Sequence, residues 1–161
     1  AKKAKRDAPK KFPAINIYFA HLAGLSISIA DVLRWSGLAV NTVVGETQFK
    51  ADGTHNTKDV ADHRLRIAEW CELYDHSIVI HHHSMIIEVA EEIANRHHEG
   101  IVVVTGTLEE TPQLSDIRFN LGGAMVALQT CPPGVYISMN GKLFNWYECH
   151  RNPISGHFEL K

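Results

Sequence analysis

Apolar positions along the chain fall into short β-branched runs, separated by stretches in which they recur every three or four residues. The runs Ile15–Ala20, Leu38–Val44, Ser77–Ile80 and Ile101–Val104 predict strands. Ile101–Val104 has no polar residue and fits a strand covered on both faces, as in parallel sheets. Between the runs, the spacing predicts helices over Ile29–Trp35, Val60–Tyr74 and Met85–His98, with Ser28, Asp59 and Ser84 as their caps, and a further helix ending at Gln129. Val60, Leu65, Ile67, Ala68 and Cys71 form the apolar stripe of the second helix; Ile86, Val89, Ala90 and Ile93 form that of the third. Near the end, Met139-Asn140-Gly141 predicts a strand entering a tight hairpin turn. Alternating strands and helices predict an α/β fold, a mostly parallel sheet with flanking helices.

Composition changes this picture little. The chain's 161 residues suit one domain. With 45% apolar and 21% charged residues it is ordinary for a globular protein, and a net charge of −2 argues against sequence-specific nucleic-acid binding. No apolar run is long enough to span a membrane and no secretory leader is read. Cys71, Cys131 and Cys149 are widely spaced and read as buried or free thiols. Residues 1–13 differ from the rest. Lys2, Lys3, Lys5, Arg6, Lys10 and Lys11 stand there against a single acid, Asp7, with almost nothing to bury. They predict an extended basic arm preceding an α/β domain over residues 14–161, either a solvated tail or a segment tied down by an acidic partner, a neighbouring subunit or nucleic acid.

The candidate chemistry lies where the predicted strands end, because open α/β sheets bind ligands beyond their carboxyl edges. Thr105 and Thr107 follow the fourth strand, and His81-His82-His83-Ser84 follows the third. Three imidazoles could suggest zinc, but neighbouring residues at a strand end point in alternating directions, so no metal site is assigned. The pair His97-His98 fits favourable charge at a helix carboxyl end. Ser26 and Ser28 could attack a substrate only with an adjacent base, and none stands nearby in sequence.

Several segments, in order, resemble bacterial-type L-asparaginases. Gly100-Ile-Val-Val-Val-Thr-Gly-Thr-Leu-Glu-Glu-Thr111 is similar to their second signature, Gly-Ile-Val-Val-Thr-His-Gly-Thr-Asp-Thr-Leu-Glu-Glu-Thr. Ser115-Asp116 with Phe119-Asn120-Leu121 resembles their Ser-Asp-Gly-Pro-x-Asn-Leu. Gly134-Val-Tyr-Ile-Ser-Met-Asn-Gly141 resembles Gly-Val-Tyr-Ile-x-Met-Asn-Gly, and Gly156-His-Phe-Glu159 a Gly-x-Phe-Glu ending. The resemblance spans roughly residues 78–159.

It fails where the family's chemistry sits. Of the second signature's threonine-aspartate pair, the aspartate is absent: the segment runs Gly106-Thr107-Leu108, two residues short. The family's Thr-Gly-Gly-Thr-Ile, with its nucleophilic threonine, is replaced by Leu22-Ala-Gly-Leu-Ser26. Its Asp-Ser-Ser-Asn-Met is replaced by His81-His-His-Ser-Met85, and no lysine lies between Lys58 and Lys142. The resemblance therefore implies a trimmed first domain with no catalytic residue. Thr105, Thr107 and Ser84 are the vestige of its pocket, with no cofactor. Degenerate domains of this kind resemble cement or decoration proteins of tailed-phage heads. That implies a capsid-stabilising role on the virion surface, self-association, and a major capsid protein bound through the arm. The alternatives are an amidohydrolase with a rearranged site and a cytoplasmic amino-acid sensor.

Overall fold

In the computed structural model, six strands form one sheet in the order β2-β1-β3-β4-β5-β6. They are β1 (Ile15–Phe19), β2 (Val40–Val44), β3 (His76–Ile80), β4 (Ile101–Thr105), β5 (Gly134–Met139) and β6 (Lys142–Asn145). The first five are parallel; β6 returns antiparallel to β5. The helices are α1 (Ser26–Arg34), α2 (Thr57–Cys71), α3 (Ile86–Asn95) and α4 (Leu114–Thr130), and a small hairpin of β7 (Cys149–Arg151) and β8 (Phe158–Leu160) closes the chain. The structure describes residues 12–45, 57–96, 99–108 and 114–161. Outside the described residues lie the arm cations Lys2, Lys3, Lys5, Arg6, Lys10 and Lys11, the His97-His98 pair, and most of the polar loop between β2 and α2.

Every residue of β1 and β4 is buried, because helices cover both faces of the sheet. Alternate strand residues supply two separate cores. Ile15, Ile17, Phe19, Ile78, Ile80, Ile101 and Val103 pack with Ile29 and Leu33 of α1 and with Ile117, Leu121 and Leu128 of α4. Tyr18, Val79, Val102, Val104 and Ile137 pack with Ile67 and Cys71 of α2, with Ile86, Val89 and Ile93 of α3, and with Phe158. A one-residue slip of β3 or β4 would exchange its contributions to the two cores, so register is strongly specified.

Most predicted elements form, with shifts at their ends. The apolar stripe of α2 is displaced: Leu65 is exposed, while His63 joins Ile67, Ala68 and Cys71 on the buried face. Two predicted caps fail. Ser28 lies inside α1, which starts at Ser26 without any side-chain cap. Ser84 does not cap α3 either; it sits in a 3-10 turn, His83–Met85, whose own cap is the His82 imidazole. Asp59 falls within α2, and its side chain lies outside the described residues. The hairpin forms as predicted, with Asn140 at φ 56° and Gly141 at φ 72°, the left-handed pair that a two-residue turn between β5 and β6 requires.

The closing hairpin belongs to the core, because Phe158 is fully buried against the α2–α3 face. Phe158→Ala is expected to lower unfolding free energy by about 3–5 kcal/mol. Denaturant unfolding followed by circular dichroism checks this; a loss under about 1 kcal/mol would place the hairpin outside the core.

Candidate functional site

The path of the chain places a crevice between β1 and β3. From β1 the chain moves outward to β2, then crosses back to β3 and proceeds the other way through β4 and β5. At such a reversal the connecting loops diverge above the strand ends, and ligands bind there. The loops concerned are His21–Leu25 after β1 and His81–Met85 after β3.

This crevice is lined by imidazoles. The rings of His21 and His82 meet edge to face at 5.2 Å, and those of His82 and His83 lie 4.2 Å apart. His81 turns away from them, towards α2, and its Nε2 lies 2.9 Å from Nε2 of His63. The expected alternation of the triplet thus separates His81 from His82, while His82 and His83 stay together. His81 Nδ1 is 3.2 Å from the His82 carbonyl, which can only accept, so Nδ1 carries the hydrogen. Nε2 of His81 is then the acceptor and His63 the donor.

His82 has the opposite tautomer. Its Nδ1 accepts the Ser84 backbone N–H at 3.2 Å and the Ser84 hydroxyl at 2.7 Å. Burial and the neighbouring His82 hold His21 down to about 4. Burial, then His82, Arg151 and His21, do the same for His83, also to about 4. These rings are therefore uncharged at neutral pH. Nδ1 of His21 and Nδ1 of His83 are buried without a hydrogen-bond partner among the described residues. No group of three or more His, Cys, Asp or Glu among those residues is arranged to hold a metal ion. The Cys71 and Cys149 thiols are buried and that of Cys131 is half-buried.

Leu22 stands in the turn after β1 at φ 60°, a left-handed conformation costing a non-glycine residue about 1–2 kcal/mol. Burial of its side chain in the α1–α4 core offsets that cost.

The threonines serve structure. Thr105 is fully buried and donates to the Ser138 carbonyl on β5 at 2.6 Å. Thr107 is also fully buried, and its hydroxyl bonds the Asp116 carboxylate at the start of α4. The same carboxylate accepts the Leu108 N–H at 3.2 Å, so Asp116 braces the β4–α4 connection. Ser84, by contrast, is exposed at the mouth of the crevice. Each of these three hydroxyls thus bonds a different partner: Thr105 on β5, Thr107 on α4, Ser84 on the turn that carries it.

Two further residues of this region have partners that the sequence does not reveal, although Asn120 lies in the Phe119-Asn120-Leu121 motif. His63 gives no sign beyond its place four residues before the buried Ile67. Asn120 is a hub: its amide donates to the Gly106 carbonyl at 2.7 Å, its side-chain oxygen accepts the Asn140 N–H at 3.0 Å, and its backbone carbonyl accepts the Ser138 hydroxyl at 2.8 Å. It ties the end of β4 to the β5–β6 turn. Gly106 is needed for a different contact: a Cβ there would lie 2.3 Å from the His81 carbonyl oxygen at the end of β3.

No family model matches the sequence, and no curated protein matches it. The fold does have neighbours among solved structures. One is the thermostable L-asparaginase from Thermococcus kodakarensis, with a TM-score of 0.73 over 92% of this chain at 15% identity. The chain spans 51% of that protein's length. The likeness is one of fold: an asparaginase N-domain-like sheet with its flanking helices.

Asn120→Ala would leave the Gly106 carbonyl and the Asn140 N–H without partners. It is expected to destabilise the domain by roughly 1–3 kcal/mol per orphaned group. Equilibrium unfolding of the variant checks this; wild-type stability would show that water replaces the amide at no cost.

Proposed function

We propose that this chain is an asparaginase-like domain that no longer carries out amide hydrolysis and serves as a structural component of a larger assembly. Its most fitting role is a cement or decoration protein on a phage capsid, self-associating and bound to the major capsid protein through the basic arm. The observation that carries the loss of hydrolysis is the state of Thr107. Its hydroxyl is fully buried and engaged by Asp116, which supports a bracing role for it rather than attack on a substrate. The turn after β1 contains no threonine, and the crevice is walled by uncharged imidazoles where a hydrolase of this fold would need an activated nucleophile.

Support for a binding role comes from the surface. Among the described residues, Trp35 and Ile154 are more than nine-tenths exposed, and Ile27 on α1 and Leu160 on β8 stand out into solvent. On the edge strand β2, Val43 and Val44 are exposed; at the other edge, Leu143 of β6 and Phe119 of α4 flank a cavity of about 280 Å³. Exposed apolar side chains grouped at sheet edges are what association would cover. The assembly itself is read from the likeness of small degenerate asparaginase-like domains to capsid cement.

One observation favours a hydrolase with a rearranged site. The exposed Ser84 hydroxyl is within hydrogen-bond reach of an imidazole nitrogen, the contact an activated serine needs. Against it, the same lone pair of His82 also accepts the Ser84 backbone N–H, which is the arrangement of a turn cap.

Ammonia release from L-asparagine and L-glutamine, at high protein concentration and long incubation, separates the readings. No release above background is expected, and Thr107→Ala and Ser84→Ala should change nothing. Release that scales with protein and disappears in Ser84→Ala would establish the serine site; loss in Thr107→Ala would restore the ancestral one. The assembly role predicts self-association in sedimentation and the chain's presence in purified particles of its source; a lone monomer absent from every particle would overturn it.

A further inference from the structure

We infer that β6 is a pairing edge, and that what it pairs with is the β6 of a second copy of this chain, antiparallel about a two-fold axis. This is the surface for the self-association proposed above, on which it rests; it does not require a capsid. β6 (Lys142–Asn145) is the last strand of the sheet and is bonded on one side only, to β5. The two-residue turn makes Met139 and Lys142 a hydrogen-bonded pair, and by alternation Ile137 and Phe144 are the next. The N–H and C=O of Leu143 therefore point away from β5, to the open side. Asn145, extended at φ −63° and ψ 141°, continues the strand, and its N–H points the same way. Such groups are satisfied by water or by another strand.

Both faces of this edge carry exposed apolar side chains. Phe144 belongs to the core on the α2–α3 side, so Leu143 projects to the α4 side. There it is exposed beside the exposed Phe119, at a cavity of about 280 Å³. On the other side Leu160 of β8 is exposed, and with Lys142 and Phe144 it lines a second cavity of about 420 Å³. A strand added at this edge covers both leucines at once.

Charge selects the partner. A lysine on an edge strand ordinarily prevents pairing, because it is carried into a neighbour that offers its charge nothing. Among the described residues, neither the exposed Lys142 nor the exposed Glu148 has an ion-pair partner. Glu148 lies in the 3-10 turn after β6, where the Asn145 amide donates to its carboxylate at 3.2 Å and holds it at the strand end. Antiparallel pairing about an axis through Phe144 sets Leu143 of each copy opposite Asn145 of the other, and Lys142 opposite Trp146, where that turn begins. Each lysine then arrives beside Glu148 of the other copy, and the two-fold axis makes the match twice. A parallel neighbour, or a strand with no acid past its end, leaves Lys142 unmatched. The edge is thus complementary to itself, in backbone groups, in apolar cover and in charge. Four residues per strand make a small interface, of the class that associates at micromolar rather than nanomolar concentration.

Sedimentation velocity of the full chain from about 1 to 200 μM tests this, with circular dichroism as the check on folding. A monomer–dimer equilibrium is expected. Lys142→Glu and Glu148→Lys each bring like charges together twice, and each should weaken the dimer at least about tenfold. Both side chains are exposed and outside any ion pair, so neither change should disturb the fold. An equimolar mixture of the two variants should regain association, because each then supplies the charge that the other needs; no effect within one chain produces that. A dimer that neither substitution weakens would overturn the β6 interface and leave self-association to another surface. Variants that fail to recover on mixing would overturn the charge match and the pairing built on it. A monomer at every concentration would overturn the interface and self-association together.

Discussion

The sheet must be covered on both faces, and most of this structure follows from that requirement. Strands β1, β3 and β4 carry aliphatic side chains on both sides, so neither face can meet water. Helices α1 and α4 cover one face, and α2 and α3 with the closing hairpin cover the other. Because sequential strands are joined by helices that return along the sheet, the connections must diverge at one point. That point, between β1 and β3, creates the crevice.

What fills the crevice determines what it can do. A hydrolytic site needs groups whose charge states are matched to proton transfer. Here the His21 and His81 rings are buried and His83 is half-buried, all held neutral by desolvation, and the nearby threonine hydroxyls are used to hold strands and loops together. The same polar atoms that would serve chemistry in an open pocket serve as fasteners in a closed one. Thr105 fastens β4 to β5, Thr107 and Asp116 fasten the β4–α4 connection, and Asn120 fastens that connection to the β5–β6 turn. Together these bonds give the strand ends and their loops cohesion.

The imidazole cluster adds a constraint of its own. Buried histidines are stable only while neutral, and each tautomer is set by the partner of the other nitrogen. His81 and His82, adjacent in the chain, take opposite tautomers because one faces a carbonyl and the other an N–H. Protons are therefore distributed around the crevice in a definite pattern, and acid is the condition that pattern tolerates least.

The sequence by itself determined the fold class. Ile101–Val104 has no polar residue, so only burial on both faces satisfies it, and the periodic stretches between strands supply the covering helices. Asn140-Gly141 required left-handed backbone, which fixed the hairpin between β5 and β6. The missing aspartate after Thr107 was also visible in the chain alone. Tertiary structure decided the rest, because it depends on which residues meet across long separations. The sequence marks Leu65, and not His63, for the buried side of α2; the way the helix lies on the sheet buries the histidine instead. Ser84 looks like a cap, but the His82 imidazole takes that role, because the 3-10 turn places its Nδ1 over the free N–H. His63 meets His81 and Asn120 meets Asn140 only after the sheet has aligned them. No local pattern encodes such pairs, since the hydrogen bonds that define them link residues 18 and 20 positions apart.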